Sequence, residues 1–150
     1  MVADRVEREI VIAAPVERVW AALLEPGFWL GEADAERVLV REGARLVSEH
    51  HEYGSFPQRI ERVEPQRHLA YRWANAFPGA EPVAGNSTRV ELSLTPEGTS
   101  TRLRLVESGF AALDLPEQGR RQAWDDNTEA WAMVLDDLRR HVQRPTSWEP

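Results

Sequence analysis

"TRVELSLTPEGTSTRLRLVES", residues 88–108, decides how the rest of the chain is read. Over 88–96, Val90, Leu92 and Leu94 alternate with polar residues, which gives a strand one apolar face. "EGTS" at 97–100 supplies a hairpin turn. The chain then returns over 101–108, with Leu103, Leu105 and Glu107 on one face and Arg102 and Arg104 on the other. A hairpin with one apolar face needs a second layer to cover it. The same parity places the Glu107 carboxylate on the covered side.

Working upstream, the pattern repeats. "HLAYRWANAF" (68–77) places Leu69, Tyr71 and Trp73 on one face, and "PGAEPVAGNS" (78–87) is a loop rich in Pro and Gly. "RVLV" (37–40), "RLVSEHHEY" (45–53) and "FPQRIERVE" (56–64) read as further strands separated by turns. Consecutive hairpins without intervening helices make an antiparallel sheet. At the N-terminus, Val6–Ile12 alternates and forms the first strand. Pro15 then opens a short helix carrying Val16, Val19, Trp20, Leu23 and Leu24, which Pro26 and Gly27 end. Phe28, Trp29 and Leu30 suggest a second short helical turn.

Downstream of "GFAALDLPEQG" the period changes to that of a helix. Trp124, Thr128, Trp131, Leu135, Leu138 and Val142 make one stripe. Asp125, Asp126 and Glu129 come early and Arg139, Arg140 and His141 late, which suits the helix dipole. The reading is α+β: a curved antiparallel sheet of about six to seven strands, two short helices after strand 1, and a long C-terminal helix against the concave face. Residues 1–143 form one domain and 144–150 a tail. A helix of about 25 residues is roughly 37 Å long. It is too narrow to fill a wide curved sheet, so a largely apolar cavity is expected between them.

Composition narrows the chemistry. The 150 residues contain no Cys, which excludes disulfides, thiol nucleophiles and thiolate metal sites. All 18 basic residues are Arg, so lysine-based Schiff-base chemistry is excluded too. The formal charge of −7 argues against a nucleic-acid partner. No apolar run reaches the roughly 20 residues of a membrane span, and the charged N-terminus lacks a secretory pattern. A cytoplasmic location follows. A homodimer stays open.

"IVIAAPVERVWAALLEP", "RIERVEPQRHLAYRW", "TRVELSLTPEGTSTRLRLVESGF" and the terminal helix together resemble the bacterial family named after the activator of the heat-shock protein 90 ATPase. The resemblance runs over about residues 6–142. It implies the START and polyketide-cyclase superfamily, with a helix-grip fold and a cavity beneath the last helix. Many relatives carry His or Glu just before the "SGF" corner, where this chain has Glu107. The resemblance brings no fixed catalytic set. The superfamily includes lipid carriers, receptors, cyclases and co-chaperone domains, so fold does not decide function.

Glu107 is then either a solvated strand-end residue paired with an Arg, or a desolvated acid facing a cavity. Tyr71, Trp73, Leu92, Leu105, Trp124 and Trp131 are the expected apolar walls. Asn127, beside the helix stripe, needs a partner if buried, and a ligand can be that partner. "EHHE" at 49–52 places His50 and His51 on opposite faces of a strand, so no metal site is expected, and no cofactor. His50 and Glu107 are the candidate acid–base groups. His68 and His141 lie near element ends and are expected to be exposed.

Three functions follow. The first is binding of a small hydrophobic molecule, aromatic or lipid-like, oriented by Glu107, His50 and Asn127. The second is a cyclase, dehydratase or hydrolase using Glu107 or His50. The third is a protein-interaction module presenting Phe28, Trp29 and Trp148.

Overall fold

A computed structural model describes residues 4–24, 41–50 and 54–144. Its elements run β1 (Arg5–Ile12), α1 (Val16–Leu23), β2 (Arg45–His50), β3 (Gly54–Glu64), β4 (His68–Trp73), β5 (Thr88–Glu97), β6 (Ser100–Ser108), a short 3-10 turn (Phe110–Ala112) and α2 (Glu117–Gln143). The six strands form one antiparallel sheet in the order β1-β6-β5-β4-β3-β2. The hairpin of residues 88–108 therefore sits inside the sheet, with β1 beside β6 and β4 beside β5. The expected strand at 37–40 and the second helical turn at 28–30 lie outside the described residues.

One strand end differs from the sequence reading. β4 stops at Trp73 rather than continuing to Phe77, because the chain turns: the Phe77 amide donates to the Ala74 carbonyl at 2.9 Å. β2 is described as far as His50, and residues 51–53 of the expected strand lie outside the described part. β3 carries a register shift between Ile60 and Arg62, a device that bends and twists a strand.

Strand parity sorts the two faces. One inward row crosses five strands as Val6, Glu107, Val90, Tyr71 and Ile60. The row below it runs through Leu105, Leu92, Leu69 and Val63, and the row above through Thr88, Trp73 and Gln58. The outer face is an Arg–Glu ladder. Glu61 accepts from Arg72 at 3.2 Å and from Arg89 at 2.8 Å. Arg102 pairs with Glu9 and Glu97, and Arg104 with Glu7. Such exposed pairs add little stability each. Their consequence is directional: they keep these arginines on the solvent face, away from the core.

α2 covers the inner face with Ala123, Asn127, Trp131, Leu135, Leu138 and Val142. The last four are the expected stripe; at its first two positions Ala123 and Asn127 are buried in place of Trp124 and Thr128. Trp124 and Thr128 are half-buried on its flank. Trp124 Nε1 donates to the Arg5 carbonyl at 2.8 Å, and Arg8 donates to the Thr128 carbonyl at 3.3 Å, so this flank fastens α2 to β1. α1 buries Val19, Trp20, Ala22 and Leu23 in the same core. Among the described residues, no helix is long and apolar enough to cross a membrane.

Gly109 turns the chain from β6 toward α2 with φ of 103°. Its amide and that of Phe110 both donate to the Asp4 carbonyl, at 3.0 and 3.3 Å, so the turn is held in place. A Cβ there would sit 3.6 Å from the Ser87 carbonyl oxygen, an ordinary contact, so the cost of a side chain is in the backbone. Gly109→Ala should destabilise by about 1 kcal/mol, the usual cost of this conformation for an L residue. Thermal unfolding should register that as a fall of about 2–4 °C.

Candidate functional site

Glu107 is 0% exposed. Its backbone lies opposite Val6 on one side and Val90 on the other, so its side chain enters an otherwise apolar row. Three neutral donors meet the carboxylate there. Trp131 Nε1 donates to Oε1 at 2.7 Å, reaching down from α2. Trp73 Nε1 donates to Oε2 at 3.0 Å, and the Thr88 hydroxyl donates to the same oxygen at 2.5 Å. The sheet register explains the last two. Trp73 and Thr88 are cross-strand partners in the row above, and Thr88 is the diagonal neighbour of Glu107.

Among the described residues, none of its hydrogen-bonding partners is a cation. The salt-bridged reading of Glu107 is therefore replaced by a buried carboxylate held by two indoles and a hydroxyl. Desolvation and hydrogen bonding oppose each other here. Burial favours the neutral acid, and the bonds from Thr88, Trp131 and Trp73 favour the anion. Burial is the larger effect, and the carboxyl is held above its ordinary range. Tyr71, two strands away in the same row, is also 0% exposed. Burial, reinforced by the charge of Glu107, pushes its phenol well above its usual value, so Tyr71 stays neutral.

The aromatic rings close around this acid. Tyr71 meets Trp73 edge-on with centroids 5.5 Å apart, and Trp73 lies 5.9 Å from Trp131 at a 35° tilt. Leu92 and Leu105, both fully buried, floor the row beneath. Six of the singled-out residues, Tyr71, Trp73, Leu92, Leu105, Glu107 and Trp131, thus belong to one core cluster around the carboxylate. Trp124 does not join them, since its indole N–H is held at the β1 edge. Asn127 is 6% exposed and lies on the same helix face one turn before Trp131. Its Nδ2 donates to the Ala123 carbonyl of its own helix at 2.8 Å.

The side chain of His50, and all of His51 and Glu52, lie outside the described part, as do Phe28, Trp29 and Trp148. His68 is not exposed as expected. It is largely buried, with Nδ1 3.2 Å from the Ser93 hydroxyl and Nε2 3.7 Å from Glu91. His141 is exposed.

Sequence reading missed Thr88 and Asn75. Thr88 was legible, because it shares the inward parity of Val90, Leu92 and Leu94. Asn75 was hidden by the extension of β4 past its true end. Both lie at the end of the sheet with Asn127, Phe110 and Leu113, around a depression too narrow to hold a water molecule.

Comparison with known proteins agrees with this architecture. No curated protein sequence matches the chain. A protein from Mesorhizobium loti, MLL2253, superposes with a TM-score of 0.72 at 26% identity, over 91% of this chain and 94% of that one. CalU16 from Micromonospora echinospora gives 0.63 at 23% identity, over 95% of this chain and 77% of that one. The Aha1 dimer from Colwellia psychrerythraea gives 0.71 at 17% identity, over 97% of this chain and the whole of that one. The helix-grip fold is shared with all three. The profile described as "Activator of Hsp90 ATPase homolog 1-like protein" matches residues 13–143, and so the chain belongs to that family.

Proposed function

We propose that this protein reversibly binds a small, largely apolar molecule, aromatic or lipid-like, beneath α2, with the polar end of the ligand oriented at the Glu107 cluster. The observation that carries the reading is the buried carboxylate without a cationic partner among the described residues. A core optimised for stability alone would place an apolar side chain at this position, because desolvating an unpaired charge is costly. Perturbed acids inside aromatic surroundings recur at binding and catalytic sites. The walls would come from Tyr71, Trp73 and Trp131 above Leu92 and Leu105.

Native mass spectrometry of freshly purified protein, set against its denatured mass, tests this. A bound small molecule, released on denaturation, is the expected result. Trp131→Ala should retain the fold by circular dichroism and lose most of that extra mass, since it removes both wall and hydrogen-bond donor. A clean apo mass, together with no saturable change in tryptophan emission on adding 2-naphthol, would remove the reading.

The raised pKa of Glu107 favours a second reading, in which the same acid donates a proton during a reaction. The two separate on Glu107→Gln. A pure binder keeps its ligand with modest loss. An enzyme keeps binding and loses turnover along with the pH dependence assigned to the acid.

A further inference from the structure

The end of the sheet remote from Thr88 carries a groove of about 410 Å³. Val16 at the start of α1, Pro65 after β3, and Leu94 and Pro96 in β5 give it apolar walls. Arg67 lines it too, and its guanidinium makes no hydrogen bond or ion pair with any described residue. By contrast, the outer-face arginines Arg72, Arg89, Arg102 and Arg104 each meet a Glu. Backbone bonds hold the turn that carries this cation. Gln66 reverses the chain with φ of 65°, the one positive value among the described non-glycine residues. The Arg67 amide donates to the Glu64 carbonyl at 2.9 Å, and the Arg67 carbonyl accepts from the Leu94 amide at 2.8 Å. The turn is thereby fastened to β5.

The C-terminal end of α2 arrives beside this groove. Gln143 Oε1 accepts from the Ala13 amide at 2.7 Å, and Arg18 donates to the Arg144 carbonyl at 3.1 Å, so the end of α2 is tied on both sides of Val16. Arg144 is extended, with φ of −71° and ψ of 132°, the form that a following proline favours. Residues 145–150 read "PTSWEP". We propose that this segment occupies the groove, with the Trp148 indole against Val16, Leu94 and the two prolines, and the Glu149 carboxylate beside Arg67. The reach suffices. Four residues extend up to about 13 Å, against about 12 Å for the whole eight-residue length of α1. The chemistry matches as well: a large apolar ring leaves water, and the acid beside it meets the one charged group that lines the groove. An exposed ion pair adds little, so the indole carries the contact and the charge orients it. The short tether holds the segment at an effective concentration on the order of millimolar, so a contact too weak to retain a free peptide is filled here. Docked in this way, the segment ties the end of α2 to the sheet, as Glu107 ties its middle.

Nuclear magnetic resonance of the full-length labelled chain tests this. The Trp148 ring should show cross-relaxation to the Val16 and Leu94 methyl groups, at shifts independent of protein concentration. Trp148→Ala, which alters none of the groove's own residues, should move the amide signals of Val16, Gln66, Arg67 and Thr95 and leave those around Glu107 in place. It should also lower the melting temperature by about 2–4 °C. Arg67→Glu should weaken the Trp148 contacts about threefold, the scale of one exposed ion pair, and Glu149→Arg in the same chain should restore them. The proposal is overturned if the Trp148 signals match those of a free peptide of residues 144–150, or if the groove amides ignore Trp148→Ala. Contacts that appear only as concentration rises would overturn it too, and would give the groove to a second copy. Contacts that keep full strength in Arg67→Glu would overturn the pairing of Glu149 with Arg67. All of these readouts are independent of ligand binding at Glu107, so the two proposals stand or fall separately.

Discussion

Glu107→Ala should lower the melting temperature at neutral pH by about 6–12 °C, corresponding to roughly 3 kcal/mol in a chain of this length. The loss has two sources. The Trp131 indole N–H, 2.7 Å from the carboxylate, is deep in the core and has no route to solvent once its acceptor is gone. Leaving such a donor unmet costs about 1–3 kcal/mol. Truncation to Ala also removes a carboxymethyl group from a packed row between Val6 and Val90, and the void adds to the cost. The remaining donors suffer less. The Thr88 hydroxyl can rotate to another acceptor, and the half-buried Trp73 can meet water. Removing the desolvated charge offsets part of the total, which keeps the figure near 3 rather than above 5 kcal/mol. Circular-dichroism melting of the two proteins measures the difference. A fall of less than about 2 °C, the smallest shift expected for 1 kcal/mol, would mean that the cluster does not hold α2 to the sheet.

The contrast with Gly109→Ala is informative, because it separates backbone from side-chain effects at one corner. Gly109 holds a left-handed turn whose disruption is local. Glu107 joins four elements at one point: β6 by its own backbone, β4 and β5 through Trp73 and Thr88, and α2 through Trp131. An acid that connects the grip helix to the sheet transmits what happens to its charge into the packing of the whole core.

How much of this could be read in the sequence depends on the period involved. Alternation over 88–108 fixed the inward side of Glu107, because parity in a paired strand leaves no other choice. The helical period of the C-terminal segment identified α2 and its buried Trp131, Leu135, Leu138 and Val142, and missed only at the start, where Ala123 and Asn127 are buried in place of Trp124 and Thr128. Trp124 entered the stripe by its helical spacing from Trp131. It lies on the flank instead, where an indole N–H can reach a strand-edge carbonyl. Propensity could not say that β4 ends at Trp73, since Ala74 and Phe77 look as apolar as the strand before them. The turn there is a backbone hydrogen bond, and sequence does not show it. The partners of Glu107 were hidden for a different reason. An acid in an Arg-rich chain suggests a salt bridge. Only the register shows that the arginines share the opposite face and that the donors are indoles. His68 failed similarly, because a strand-end position suggests exposure until the Ser93 cross-strand contact is seen.

The charge of Glu107 should make stability fall as pH rises above the ordinary carboxyl range. Burial holds its pKa above the usual 4.5 in the folded protein, while the unfolded chain titrates near the ordinary value. Between those two values the native state binds more protons than the unfolded state. The stability that protonated Glu107 confers is therefore complete below about 4.5 and is lost as pH climbs through the folded value. For one proton the slope reaches at most about 1.4 kcal/mol per pH unit. The surface acids act in the opposite sense. Bonds from Arg5 and Arg104 to Glu7, and from Arg140 and Arg139 to Asp136, hold those carboxyls below their ordinary values. Their contribution is lost as pH falls, and it is common to wild type and to a variant at position 107. Glu107→Gln isolates the buried group. It keeps the length of the side chain and one acceptor oxygen, which can serve Trp73 and Thr88, but turns an amide N–H toward Trp131. At low pH the variant should be the less stable protein. Urea unfolding at steps from pH 4 to 8 should then show the gap between the two narrowing as pH rises, and levelling once Glu107 is ionised in both states. A gap that stays constant would place the acid at its ordinary value. A gap that widens would mean that the three hydrogen bonds outweigh burial, and that the carboxylate is the form the core was built to hold.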